Sequence, residues 1–95
     1  MKNEIENYKK ELNIIIKKCS TSPTLLHDFL EDILTIAEYN EISRRWQIVK
    51  MLEEGIPQRE IASNLKVGIA TVTRGAKELS DKKGGFRKVL NKLKK

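Results

Sequence analysis

The residues of this chain whose types and spacing could do chemistry are suited to binding rather than to reaction. Its one histidine, His27, and its one cysteine, Cys19, have no partners at metal-ligand or nucleophile–base spacing. No Ser/His/Asp or Cys/His arrangement and no phosphate-cradling glycine loop is present, so the reading is not an enzyme. The informative stretch is Gln58 to Arg74. Its second half, Gly68-Ile69-Ala70-Thr71-Val72-Thr73-Arg74, gathers methyls and hydroxyls with little bulk on one short helix. Such a helix can lie close to base edges in a major groove, its methyls meeting thymine methyls and its hydroxyls meeting either edge. Gln58 and Arg59 open the preceding helix, where contacts to the phosphate backbone are made. The candidate DNA-binding set is therefore Gln58, Arg59, Gly68, Ile69, Ala70, Thr71 and Thr73. The rival reading is a plain helical hairpin packed in a core.

Positioning these groups requires two short helices crossing steeply through a tight turn. Ala62 is small where they would touch, and Ile61, Leu65, Val67 and Val72 fill the angle. Lys66 stands where a turn glycine is common, at a cost of roughly 1 kcal/mol if the position is left-handed. Gly75, midway along the second helix, breaks the helical rule at a cost of ~1 kcal/mol. Either it leaves a slot for a flat ligand or it permits close helix–helix packing.

The rest of the chain reads as helix throughout, with apolar residues at spacings of three and four and no strand signal. A first helix spans about 3–19, with Ile5, Tyr8, Leu12, Ile15, Ile16 and Cys19 on its apolar face. Ser22 caps a second helix and Pro23 occupies its first position. Thr35 and Glu38 form a capping box for a third, which runs to about Glu54 with Tyr39, Ile42, Trp46, Val49 and Leu52 inward. Gly55 stops it. Helices at about 57–65 and 69–79 make the helix-turn-helix, and a terminal helix carries Phe86, Val89, Leu90 and Leu93. The fold class is all-α: six short helices in a single domain over 1–95. Their apolar faces are too wide for one small chain to cover, so an intertwined homodimer is expected, its shared core at about 3–54 and 84–93.

Composition agrees with this division. The 95 residues carry a net charge of +6, with 39% hydrophobic and 34% charged content. Residues 1–40 are net −2 and residues 41–95 net +8, which places the polyanion-facing region in the second half. No apolar run approaches the ~20 residues a bilayer requires. Met1-Lys2-Asn3-Glu4 leads into a charged amphipathic stretch rather than a signal peptide. Cys19 reads as a small buried apolar residue and His27 as an exposed or packing residue; a lone cysteine fits a reducing compartment, and cytoplasm is expected. The lysines at 82–83 and 92–95 either add phosphate contacts or aid solubility.

The block Gly68 to Gly75, with Leu34-Thr35 and Arg44-Arg45-Trp46-Gln47-Ile48-Val49, closely resembles the Trp repressor family over about residues 29–93. The resemblance implies a dimeric bacterial repressor, associated with the nucleoid, that binds a palindromic double-stranded operator and uses L-tryptophan as corepressor. It further implies that Arg45 and Arg74 sandwich an indole, that Gly75 gives it room and Arg74 holds its carboxylate, and that Thr35 and the backbone at the end of the second helix of the other chain help receive its ammonium. Glu78 stands where enterobacterial members have a hydroxyl near the ammonium, and would either pair with that ammonium or close the slot by binding Arg45. Asp32 stands where an apolar lining residue is common. The turn Glu54-Gly55-Ile56-Pro57 is one residue shorter than in enterobacterial members, which leans toward the YerC/YecD branch, whose DNA-binding unit need not take tryptophan. A helical protein–protein adaptor is the remaining alternative.

Overall fold

The computed structural model describes residues 3–94; Met1, Lys2 and the last lysine of the basic tail, Lys95, lie outside them. Six α-helices follow in order: α1 (Glu4–Cys19), α2 (Pro23–Ile33), α3 (Ile36–Glu53), α4 (Gln58–Leu65), α5 (Ile69–Ser80) and α6 (Gly85–Leu93). No strand occurs among the described residues, so the all-α expectation holds. None of these helices is long and apolar enough to cross a membrane.

The helix ends form where local chemistry puts them. Ser22 Oγ accepts the Leu25 amide at 3.3 Å, and Pro23, which has no N–H to satisfy, begins α2. At the start of α3 the capping box is reciprocal: the Thr35 amide donates to Glu38 Oε1 at 2.8 Å and the Glu38 amide to Thr35 Oγ1 at 3.1 Å. Gly55, at φ +83°, turns the chain out of α3 in a conformation that a side chain would strain.

The chain divides into two compact units, one up to Tyr39 and one from Asn40 onward. In the first, α1 packs on α2, and Cys19 is the buried residue of the pair, as its apolar reading anticipated. Much of this unit's apolar surface stays open: Ile5, Tyr8, Ile14, Leu25, Ile33 and Ile36 are all more than half exposed. His27, read from sequence as solitary, has two neighbours: Nδ1 lies 3.2 Å from the Tyr39 hydroxyl, and Nε2 lies 3.3 Å from Glu31 Oε1. Glu31 is one turn further along the same helix, but Tyr39 is reached only because the chain folds back between α2 and α3.

In the second unit the core is Ile48, Ile61 and Val72, one residue each from α3, α4 and α5. Met51, Leu52, Ile56, Ala62, Leu65 and Val67 pack around them. Ile48 is the correction to the sequence reading of α3, which put Ile42 inward instead; Ile42 is 42% exposed and Ile48 1%. The periodic reading assumed one partner face. Burial of both Ile48 and its neighbour Val49 takes partners on more than one side.

Candidate nucleic-acid interface and adjoining pocket

The geometry of the second unit begins at the α4–α5 turn. Lys66 is the one non-glycine residue with positive φ among those described, at φ 57° and ψ 45°. The position is left-handed, and a lysine holds it where a glycine is common. The backbone settles the turn: the amide of Val67 donates to the Ala62 carbonyl at 3.1 Å and that of Lys66 to Ser63 at 3.3 Å. These bonds satisfy carbonyls that the end of α4 would otherwise leave open. Ile61, fully buried, and Ala62, half-buried, then hold α5 against α4 through Val72.

Three stripes result on α5. Val72 is buried, with Ala76 and Leu79 half-buried on the same side. Ile69, Ala70 and Thr73 are exposed on another. Thr71, Arg74, Gly75 and Glu78 form a third, which lines a cavity. The spacing of that third stripe is three, four and seven residues, so these side chains lie one above another.

Most of the candidate DNA-binding set is accessible together. Arg59, Gly68, Ile69, Ala70, Thr71 and Thr73 are exposed, and Gln58 is half-buried. Two of them have further roles. The Thr73 hydroxyl donates to Gln58 Oε1 at 2.9 Å, a bond between the two helices that sequence spacing did not reveal. It leaves the Gln58 amide nitrogen, with its two N–H groups, without an intramolecular partner among the described residues. Thr71 belongs to the cavity wall as well as to the exposed surface.

The cavity, of about 830 Å³, lies among α3, α5 and α6. That is within the range of small-molecule sites. Arg45, Arg74, Gly75 and Glu78 of the ligand set all line it. So do residues that sequence reading did not assign to it: Glu41, Trp46 and Val49 from α3, Asp81 from the loop, and Phe86 and Val89 from α6. Trp46 was read from sequence as an inward packing residue in preference to a ligand contact. Arg45 and Trp46 reach the same space because the cavity is wide enough to meet residues a hundred degrees apart on α3. Arg45 forms an ion pair with Glu41 at 3.3 Å, one turn earlier on the same helix, not with Glu78. Thr35 belongs to the first unit, and its amide and hydroxyl are both engaged in the cap of α3. Asp32 is exposed in that same unit.

Gly75 has a structural reason independent of any ligand. A Cβ built on it would stand 3.0 Å from Ile48 Cγ2 and 3.8 Å from Leu52 Cδ1. The glycine thus lets α5 approach α3 closely, and it borders the cavity too.

An ion cluster of residues that do not line the cavity joins the end of α3 to α6. Arg87 Nη1 donates to Glu53 Oε2 at 2.8 Å and Nη2 to Oε1 at 2.9 Å, and Lys94 Nζ lies 2.9 Å from Glu53 Oε2. Arg87, then Lys94, hold the Glu53 carboxyl down to about 2 from its ordinary 4.5, against a smaller opposing effect of desolvation. The same carboxylate pushes Arg87 upward.

Comparison with known proteins places this chain among relatives. The family described as Trp repressor protein matches residues 9–94. A Trp operon repressor homolog of Chlamydia trachomatis serovar L2 is 31% identical over 93 residues, 97% of this chain and 98% of that protein. One of Chlamydia caviae is 37% identical over 73 residues, covering 76% of this chain and 72% of the relative. Another, of Mannheimia succiniciproducens, is 47% identical over 53 residues, 55% of this chain and 52% of the relative. No solved structure gives a significant match to the chain.

Proposed function

This chain belongs to the Trp repressor family, and from that premise we propose that it is a transcriptional repressor that binds a palindromic operator as a homodimer. The observation that carries the reading is the three-way division of α5. Val72 anchors the helix, while Ile69, Ala70 and Thr73 stand exposed beyond a tight left-handed turn. A slim, side-chain-poor flank of that kind can approach base edges in the major groove. Arg59 and the free amide nitrogen of Gln58, at the start of α4, supply donors for phosphate oxygens. The net +8 of residues 41–95 favours association with a polyanion. The exposed apolar residues of α1 and α2 give a second copy a surface to bury, and two copies bring two α5 helices to half-sites about one helical turn apart.

We further propose that L-tryptophan acts as corepressor in the cavity beside α5. Arg45 and Arg74 supply guanidinium planes that stack on an aromatic ring, and Arg74 a partner for a carboxylate. Glu78 supplies an acceptor for the ammonium. Because the cavity wall and the exposed flank share α5, an occupant shifts the helix between tilts only by favouring one of them. The contact of Gly75 with Ile48 supports a second reading, a ligand-independent regulator, since packing alone accounts for the glycine.

Titration of duplex operator fragments by fluorescence anisotropy, with and without L-tryptophan, tests both. Tighter binding with the amino acid is expected. Equal affinity rejects the corepressor, and no duplex affinity even at low salt rejects the DNA-binding reading.

A further inference from the structure

One wall of the cavity is a short helix that packs on α5 and is tied to the end of α3 by charge. Helix α6 is nine residues long, too short to be stable by itself, and its buried side chain is Leu90. Yet Phe86 and Val89 of this helix, with Gly84 and Gly85 at its start, line the cavity. Between Phe86 and Val89 in the sequence stands Arg87, which does not line the cavity and donates to Glu53. Seven residues later, at the C-cap of α6, Lys94 reaches the same carboxylate.

Glu53 is the last residue of α3, where the negative end of the helix dipole makes a carboxylate unfavourable unless cations compensate it. Arg87 and Lys94 are those cations. The Arg87 fork is bidentate, which fixes orientation as well as distance, and the pair is three-quarters shielded from solvent. Lys94 is 63% exposed and adds charge rather than geometry.

We propose that the Glu53–Arg87–Lys94 cluster is a positioning device that holds the α6 wall of the cavity against α3 and thereby sets ligand affinity from outside the site. None of the three residues lines the cavity, so they act through Phe86 and Val89 and not by touching an occupant. The consequence for affinity rests on the ligand reading above; the positioning of the wall does not.

Trp46, the chain's one tryptophan, lines the same cavity and reports on the wall without any ligand. In the ligand-free full chain, Glu53→Gln should shift Trp46 emission to the red, speed its quenching by acrylamide and lower hydrogen-exchange protection of α6, with far-UV helicity retained. Swapping the charges, Glu53→Arg with Arg87→Glu, should restore all three. Arg87→Lys keeps both charges and loses only the fork; it carries the same test should Glu53→Gln fail to fold. By calorimetry, L-tryptophan should bind Glu53→Gln about fivefold or more weakly. Unchanged Trp46 emission and unchanged α6 protection in folded variants would overturn the proposal. A Trp46 shift in a protein that binds no L-tryptophan upholds the clamp and rejects the corepressor.

Discussion

Substituting Gly75 by alanine separates two explanations of the same glycine. Alanine in a helix interior gains about 1 kcal/mol over glycine. Here the new methyl would meet Ile48 Cγ2 at 3.0 Å, so Ile48 must give by a few tenths of an ångström. Ile48 cannot do so readily. It is 1% exposed, packed against Ile61 and Val72, and β-branched on a helix, which leaves it one preferred rotamer. Overpacking of this kind costs typically 1–3 kcal/mol. The net expectation is a loss of up to about 2 kcal/mol. Ile48→Leu removes the β-branch at nearly constant volume and should itself cost under about 1.5 kcal/mol. In that background Gly75→Ala should become neutral or stabilising, which gives a positive coupling in a double-mutant cycle. The assay is urea unfolding at fixed protein concentration, since association would otherwise shift the midpoint. If Gly75→Ala stabilises the wild type by the full propensity gain, the packing argument is wrong. If it does so while abolishing tryptophan binding in calorimetry, the glycine serves a ligand slot alone.

Three further expectations follow from separate parts of the molecule. Arg59→Ala should weaken duplex binding about equally on all sequences and reduce the slope of log affinity against log salt by about 1, measured by anisotropy across salt concentrations; a change of sequence preference would assign Arg59 to base readout. Lys66→Gly should raise stability by roughly 0.5–1 kcal/mol, because φ 57° strains lysine and not glycine, with the flexibility of unfolded glycine offsetting part of the gain; a lower urea midpoint would contradict this. The Glu53 carboxyl titrates near 2 when folded and near 4.5 when free, so its contribution is fully present above 4.5 and is lost as pH falls through 2. The stability difference between wild type and Glu53→Gln should therefore be constant from neutral pH to about 5 and shrink between 4.5 and 2, and a difference independent of pH over that range would refute the assignment.

What the sequence alone determined is local. The Ser22-Pro23 start, the Thr35–Glu38 box and the Gly55 stop are interactions within four residues, so their chemistry can be read from neighbours along the chain. Lys66 was legible as a turn position and Val72 as an inward residue from helical spacing, while the structure decided that Lys66 is left-handed and that Val72 meets Ile61 and Ile48. The tertiary structure decided whatever depends on distant partners. Glu53 and Arg87 are 34 residues apart, and no periodicity pairs them. Thr73 bonds to Gln58 and Gly75 admits Ile48 only because the α4–α5 turn and the approach of α3 set those distances. Helical spacing says which residues share a stripe but not how many surfaces meet the helix. For that reason Ile48 displaced Ile42 inward, and Trp46 came to line the cavity beside Arg45.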